Sequence, residues 1–583
     1  MRRFVLMKIL LRYAKRYSGW IALQLFFATA WVVTQLMIPR LMADIIDNGI
    51  MQSNMNYIIR LGLIMVGVSL LNVASLLANL LFLTRVNAGI SRDLRGDLFH
   101  KVINWSEQVR GTFSTATLIT RNINDVKQVS NFIDMSLRKI YTLSITIIGS
   151  VIISFTLDSQ LALLIFLILP AVLFVTTKLT SAALPQYGRI RAATDNINRL
   201  FRQNMSGIRV VKAFGKTAYE EQQFAQAVDD AYSSNVKAES TMMLLSPLVM
   251  LFANFLILLI LWFGGVRAES GTIQIGVLVA IIEYVTLALA NVQSFASIIT
   301  IIPRSMVSLK RITDVLTTDE TVVLPEDSAL KRAASTNETI EMKDLTFSYK
   351  GASFPAIDQV NLTIENATTT AIIGSTGSGK STLLRLLLRN YDADEGSITV
   401  KGHDLKTLSR EDFNQLFTLI PQETFLFSGT IRDNIKSGNP EATDEEIWEV
   451  LDACEIGEFF RKSPEGLDTW IAQKAVNLSG GQKQRISLAR GLIRDTSYYL
   501  FDDCFSALDF STERKIRKAI QERLAGKTIV VVAQRVATVE QADVILVMDE
   551  GVIADRGTHT SLCASSAVYQ EIVKSQMKSE GVA

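Results

Sequence analysis

The sequence AIIGSTGSGKSTLLRLLL, residues 371–388, decides the fold of the C-terminal half of the chain. An apolar segment leads into Gly374, the pattern GxxxxGK[ST] follows, and a leucine-rich segment begins after Lys380. A strand before this pattern and a helix after it are the context that a phosphate-binding loop requires. Glycines let backbone amides wrap phosphate groups, and a helix N-terminus adds a favourable dipole. The stretch therefore predicts an α/β domain of the P-loop NTPase class.

This loop is expected to supply most of a nucleotide site. Lys380 would reach the β- and γ-phosphates of ATP and Ser381 would bind Mg²⁺, so ATP and Mg²⁺ are the expected cofactors. The residues predicted to surround the phosphates are Gly374, Ser375, Thr376, Gly377, Ser378, Gly379, Lys380, Ser381 and Thr382.

A second apolar segment, SYYLFDD at residues 497–503, ends in two carboxylates. Asp502 closes the predicted strand and suits the role of a Mg²⁺ ligand, and Asp503 is placed to polarise an attacking water. A strand that ends in two aspartates is common by itself. In the same α/β domain as Lys380, it supports a site that hydrolyses a nucleotide.

The N-terminal half is apolar in long blocks. Five windows contain no Asp, Glu, Lys or Arg: residues 17–39, 61–84, 140–157, 159–177 and 240–266. A sixth window, 271–303, contains one charge, Glu283. About 20 apolar residues cross the hydrocarbon core of a bilayer. The sequence therefore predicts a six-span α-helical transmembrane domain followed by the α/β P-loop domain.

This organisation predicts a transmembrane domain over residues 1–316, a polar linker over 317–335 and a nucleotide-binding domain over 336–583. The long connections 85–139 and 178–239 are basic. An excess of Lys and Arg places loops on the cytoplasmic side, and both termini and the nucleotide-binding domain follow them there. A multi-pass protein of the cell membrane is expected, and the net charge of +2 gives no indication of a nucleic-acid partner.

Polar residues within the predicted spans are candidates for contact with a transported compound. Glu283 is the one carboxylate in the six windows, and Asn254 and Asn291 are uncharged. An ionisable group inside a membrane is a functional candidate, here for recognition of a cationic substrate or for proton coupling. The alternative is hydrogen bonding between helices, or contact with water in a cavity wall.

The segment NLSGGQKQRISLARGLI, residues 477–493, indicates the family. Ser479 and two glycines open a predicted helix, and such an N-terminus is an anion site. LSGGQ at 478–482 resembles the signature of ATP-binding cassette (ABC) proteins. The resemblance implies that the signature caps the γ-phosphate of ATP held by a second, facing cassette. The signature residues assigned to ATP in this way are Ser479, Gly480, Gly481 and Gln482.

Other motifs extend the resemblance over nearly the whole chain. Tyr349 looks like the aromatic residue that stacks on adenine, and Gln422 looks like the loop glutamine that touches Mg²⁺ and water. Six spans fused ahead of one cassette resemble a bacterial ABC exporter half-transporter with the type IV exporter fold. In that family, regions like 124–126 and 213–216 form the coupling helices that transmit closure of the cassettes.

Two positions depart from the family pattern. In the family, the position of Asp503 is normally occupied by glutamate, and the position of Gln534 is normally occupied by histidine. Aspartate is one methylene shorter, so its carboxylate lies farther from the water, and glutamine cannot take up positive charge as imidazole can. Loss of such a group typically costs roughly 10²–10⁴-fold in rate. Residues 472–475, Ala-Gln-Lys-Ala, also lack the acidic residue of the usual GERG-like stretch.

The pattern resembles the degenerate-site subunit of heterodimeric bacterial multidrug ABC exporters. The resemblance implies ATP-driven efflux of amphiphilic drugs or related small molecules across membrane lipid. The chain would bind ATP at a slow site and complete a hydrolytic site on a partner half-transporter that has the normal Glu and His. The alternatives are a slowly hydrolysing homodimer, a half-exporter of lipid or peptide, and an ATP-sensing regulatory subunit or gated channel.

Overall fold

The computed structural model describes residues 2–293, 295–320, 322, 324, 325, 327, 330 and 338–579. The chain folds as two compact units. The first is Met1–Asn104 with Phe113–Thr318, and the second is Trp105–Thr112 with Asp319–Ala583. Most of the predicted linker, 317–335, lies outside the described residues, so its boundaries stay a prediction.

The first unit is helical. Its α-helices are α1 (Arg2–Arg16), α2 (Ser18–Asp44), α3 (Met55–Ile103), α5 (Thr115–Thr120), α6 (Val126–Asp134), α7 (Tyr141–Leu157), α8 (Ser159–Ser206), α9 (Ile208–Ala213), α10 (Thr217–Met243), α11 (Leu245–Glu269), α12 (Ile275–Gln293) and α13 (Phe295–Leu316). Three π-helical turns join some of them: π1 (Ile45–Ile50), π2 (Arg121–Asp125) and π3 (Met135–Ile140). A short helix between α3 and α5, α4 (Glu107–Arg110), belongs to the second unit.

Five helical stretches of this unit are long and apolar enough to cross a membrane: Ser18–Ile50, Met55–Ile103, Thr115–Leu157, Ser159–Ser206 and Thr217–Glu269. Each overlaps one of the first five predicted windows. The sixth window holds a shorter apolar stretch, Ile275–Asn291. Residue 294 of the same window lies outside the described part of the chain. The structure therefore supports five spans by length, and the sixth stays a prediction.

Two helices continue well beyond the thickness of a bilayer. α3 has 49 residues and α8 has 48 residues. At about 1.5 Å per residue each is roughly 70 Å long, more than twice a hydrocarbon core of about 30 Å. Both helices thus continue from a predicted span into one of the long basic connections, 85–139 and 178–239.

The second unit is α/β. Its further helices are α14 (Lys380–Leu387), α15 (Arg410–Leu416), α16 (Ile431–Lys436), α17 (Asp444–Ala453), α18 (Gly457–Arg461), α19 (Gly480–Leu492), α20 (Phe510–Arg523), α21 (Val536–Val539), α22 (His559–Ser565) and α23 (Ala567–Ser579). Its strands are β1 (Ile340–Phe347), β2 (Ile357–Ile364), β3 (Thr369–Gly374), β4 (Glu395–Val400), β5 (His403–Asp404), β6 (Phe417–Ile420), β7 (Gly429–Thr430), β8 (Trp470–Ile471), β9 (Tyr498–Asp502), β10 (Thr528–Val532), β11 (Val544–Asp549) and β12 (Val552–Gly557).

The order of the central sheet positions the site. Its six strands run β12-β11-β3-β10-β9-β6, with β10 parallel to both β3 and β9. Parallel strands end at the same edge of a sheet, and ligands bind in the crevice outside their carboxyl ends. The ends of β3, β9 and β10 therefore bring Gly374, Asp502 and the residues after Val532 together.

One short segment from the N-terminal part of the sequence folds with the second unit. Residues 124–126, predicted as the first coupling region, lie in π2 and α6 of the first unit, and their role in coupling stays a prediction. Trp105–Thr112 folds with the second unit, where Asn390 Nδ2 donates to Glu107 Oε2 at 3.1 Å. The chain can leave the first unit at this point because α3 ends at Ile103. The Ser106 side chain then caps a new short helix, α4.

Candidate nucleotide site and family

The phosphate loop connects β3 to α14 through positions that accept only glycine. A Cβ on Gly374 would lie 2.2 Å from the carbonyl oxygen of Met548. Gly379 has φ +101°, and its Cβ would lie 2.6 Å from the carbonyl oxygen of Ala356. Side chains at these points would clash with backbone, so the loop keeps its amides free to face a phosphate.

Lys380 is held inside this loop. Its side chain is buried, and Nζ donates to the carbonyl oxygens of Gly374 at 2.9 Å and Ser375 at 2.6 Å. Burial lowers the pKa of Lys380, while the carboxylates of Asp503 and Asp502 partly offset that change. The arrangement holds an ammonium group at the place where the sequence predicts phosphate.

Ser381 and Asp502 meet beside Lys380. Ser381 Oγ donates to Asp502 Oδ1 at 3.0 Å. Burial raises the pKa of Asp502, and the Ser381 hydrogen bond and the nearby cations of Arg385 and Lys380 lower it again. Mg²⁺ in nucleotide sites takes one or two protein oxygens and completes its shell with phosphate and water. A hydroxyl and a carboxylate in contact fit that requirement.

Asp503 is the centre of a small hydrogen-bond network. Its backbone has φ +45°, and its N–H donates to the carbonyl oxygen of Val532 at 2.8 Å. Its Oδ2 accepts from Gln422 Nε2 at 2.9 Å and from Gln534 Nε2 at 3.1 Å. Burial, and then the charge of Asp502, raise the pKa of Asp503. The structure thus joins the three residues that the sequence assigned to hydrolysis.

The signature segment forms the N-terminus of α19. Ser479 Oγ accepts from the backbone of Gln482 at 3.3 Å, and Gln482 Oε1 accepts from the backbone of Ser479 at 2.8 Å. This capping box satisfies the first turn and leaves the exposed helix end facing outward. Among the described residues, no hydrogen bond joins this segment to Lys380 or Asp503.

Comparison with known proteins identifies these features. The family described as ABC transporter transmembrane region matches residues 21–292, and the family described as ABC transporter matches residues 357–506. An uncharacterized ABC transporter ATP-binding protein of Mycobacterium tuberculosis is 35% identical over 581 residues, which is 99% of each chain. The chain belongs to the ABC transporter family. It is a multi-pass membrane protein with a cytoplasmic ABC cassette.

Two further proteins resemble this ABC transporter over most of its length. An ATP-dependent lipid A-core flippase of Vibrio cholerae is 28% identical over 537 residues, 92% of each chain. The solved structure of a bacterial Atm1-family ABC exporter with ATP bound has a TM-score of 0.78 and covers 96% of this chain and 98% of its own. At 22% sequence identity the second likeness shows the exporter fold alone.

Tyr349 of this ABC transporter lies beside the phosphate loop. Its hydroxyl is 3.1 Å from Thr382 Oγ1, and Arg385 donates to it at 3.3 Å. Its ring packs edge-on against Phe347 and Tyr391, with centroids 5.0 and 5.5 Å away. These contacts fix the ring next to α14, and stacking on adenine stays a prediction.

The three candidate substrate residues of the ABC transporter do not form one cluster. Asn291 lines a cavity of the first unit, and its Nδ2 donates to the carbonyl oxygen of Leu287 at 2.7 Å. Asn254 is exposed, and Glu283 is half-buried outside that cavity. Sequence reasoning missed Lys139, which lines the same cavity, because its charge was used only to orient the spans.

Proposed function

We propose that this chain is one half of an ATP-driven exporter and that its own ATP site hydrolyses slowly. The observation that carries the proposal is the bonding of Asp503 Oδ2 to two neutral amides. A general base must offer a lone pair to the proton of the attacking water. Two donors occupy one oxygen of Asp503, and neither Gln422 nor Gln534 can accept a proton and become charged.

Binding of ATP and Mg²⁺ would remain at this site. Lys380 is positioned in the loop, and the Ser381–Asp502 pair offers Mg²⁺ two oxygens. The metal would neutralise charge that develops on the phosphates. The chain's residues would orient the nucleotide and hold water near Asp503. The carboxylate of Asp503 is one methylene shorter than that of glutamate.

The signature of this chain would complete a faster site on a partner subunit. The end of α19 is exposed, and a Cβ on Gly480 would meet its first neighbour, Ala507 Cβ, only at 4.0 Å. The surface is therefore open to a facing cassette. A heterodimer whose other subunit has glutamate and histidine at the matching positions would hydrolyse there, and α12 with α13 would form the sixth span of this half.

The cargo proposed for this exporter is an amphiphilic compound, with drugs as the first class. A lipid is the second candidate, because the cavity that contains Asn291 also contains cationic side chains. The name of the Vibrio cholerae relative, a lipid A-core flippase, agrees with that alternative.

The test compares ATP turnover with ATP binding. The chain alone should bind ATP in the presence of Mg²⁺ but should hydrolyse it about 10²-fold more slowly, or slower still, than the complex with its partner. Lys380→Ala should abolish ATP binding by the chain alone and serves as the control, whereas the complex should keep the ATP bound at the partner's site. Full-speed turnover by the chain alone would contradict the proposal.

A further inference from the structure

A cavity of about 320 Å³ lies between helices of the first unit. Its apolar wall is formed by Trp31 on α2, Leu76 and Leu80 on α3, and Leu143 on α7. Small-molecule sites have volumes of roughly 300–1,000 Å³ and mostly apolar walls with a few polar groups. This cavity has the size and the wall of such a site.

The charges around the cavity have one sign. Arg138 and Lys139 line it, and its lining contains no carboxylate among the described residues. Arg138 is neutralised by Asp134, with 2.9 Å between its NH2 group and Oδ2. Lys139 is half-buried and forms no ion pair within the described part of the chain. The Lys139 ammonium is therefore the uncompensated charge of the cavity.

A second polar group in the wall is an unused donor. Gln24 Nε2 donates to the carbonyl oxygen of Leu137 at 3.1 Å, which fixes the orientation of the Gln24 amide because a carbonyl oxygen only accepts. The same Nε2 donates to Asn79 Oδ1 at 3.0 Å. Asn79 Nδ2 is left buried without an acceptor. An unsatisfied buried donor is costly, so a ligand that supplies an acceptor there would be favoured.

Both cations of the wall are carried by a π-helical turn, π3 (Met135–Ile140). Such turns occur frequently at functional sites. The Leu137 carbonyl lies within π3 and is bonded to Gln24, so the network of Gln24 and Asn79 also holds the turn that presents Lys139.

The cavity lies alongside the charge-free windows of the sequence. Lys139 directly precedes the charge-free window 140–157, and Gln24, whose side chain donates to the nearby Leu137 carbonyl, lies within the window 17–39. Trp31 lies within the window 17–39. The polar and apolar groups of the cavity wall therefore both lie along segments that are predicted to span the membrane.

The geometry points to an anionic amphiphile as the ligand of this cavity. A phosphate or carboxylate head group is held by Lys139 and by Asn79 Nδ2, and the apolar chain packs against Trp31 and the leucines. This inference rests on the proposed export function and specifies its substrate class. Glu283, the residue predicted to recognise a cationic compound, does not line this cavity.

The experiment uses the full-length chain, purified with the subunit that accompanies it and placed in phosphatidylcholine nanodiscs. Binding of radiolabelled dodecyl phosphate is compared with binding of dodecyltrimethylammonium, which has the same tail and the opposite charge, and with binding of inorganic phosphate. Dodecyl phosphate should bind best. Lys139→Gln should weaken it roughly tenfold or more, as expected for loss of one charged contact. Asn79→Leu should weaken it as well.

The matched control is Lys127→Gln, which removes an exposed lysine on α6 that does not line the cavity and should leave binding unchanged. Lys139→Glu should reverse the preference toward dodecyltrimethylammonium, a gain that a misfolded variant could not show. Equal binding of both amphiphiles, or unchanged binding by Lys139→Gln, would overturn the inference. Inorganic phosphate binding as tightly as dodecyl phosphate would replace the amphiphile by a free anion. ATP binding in the same samples reports separately on the proposed function.

Discussion

Gln534 donates its side-chain amide to Oδ2 of Asp503 at 3.1 Å. The two residues follow neighbouring parallel strands, β10 and β9, so their meeting is a consequence of strand order. A histidine at this position could alternate between neutral and charged forms, whereas an amide has one state. The Gln534 amide therefore stabilises the ionised form of Asp503. It cannot accept the proton that Asp503 would take from the attacking water.

Restoring the family residues should speed hydrolysis at this site. In the double variant Asp503→Glu with Gln534→His, a longer carboxylate reaches the water and imidazole takes up charge. We expect phosphate release to rise at least about tenfold, since general-base groups contribute roughly 10²–10⁴-fold. Asp503→Glu with Gln534→Asn, which keeps an amide, should gain less. An unchanged rate in the full double variant would locate the defect elsewhere.

The stability of the cassette should depend on pH through Asp502. Burial raises its pKa in the folded state above the unfolded value. The folded state then binds the proton more tightly, so stability is complete below about pH 4 and is lost as pH rises through the folded pKa. Asp502→Asn should raise the Tm at pH 7 by roughly 2–4 °C, the effect of a small relief of charge burial.

At pH 4 that gain from Asp502→Asn should shrink, because the wild-type carboxyl group is then becoming protonated as well. The exposed carboxylate Asp229 provides the control, and Asp229→Asn should change the Tm little at either pH. A gain that grows toward acid pH would have the wrong sign and would refute the argument.

A strained turn precedes the signature. Lys474 has φ +58° and ψ +17°, a left-handed conformation that costs a lysine about 1–2 kcal/mol. Lys474→Gly should relieve this strain and stabilise the chain by about 0.5–1 kcal/mol, measured by thermal unfolding. Lys474→Ala removes the same side chain but keeps the Cβ, so it should give no such gain.

Close packing near the start of α12 should make one glycine irreplaceable. The Gly276 N–H donates to Asp47 Oδ1 at 2.6 Å, and a Cβ there would lie 2.3 Å from the Ala43 carbonyl oxygen. Gly276→Ala should cost about 1–3 kcal/mol through overpacking. Gly265→Ala on α11 meets nothing within 4 Å and should be neutral or slightly stabilising. Equal Tm values for the two variants would contradict the packing.

Local patterns in the sequence predicted the parts of the site that are local in structure. The phosphate loop, Lys380 and the end of β9 at Asp502 are contiguous signals with a fixed context, and the structure has them as strand, loop and helix. The shared hydrogen bonds of Asp503 could not be predicted, because they depend on the order β3-β10-β9. The cavity at Lys139 depends likewise on contacts among α2, α3 and α7, and a π-helical turn has no simple periodicity.

Because Trp105–Thr112 folds with the second unit, it matters where the chain is cut to obtain that unit as a fragment. A fragment that starts at Asp319 would lack eight residues that fold with the rest of that fragment, including the partner of Asn390. The ATP affinity and the Tm measured on this fragment would therefore describe an incomplete unit. Supplying the missing octapeptide in trans, or grafting it to the amino end of the fragment, is the way to recover the natural one.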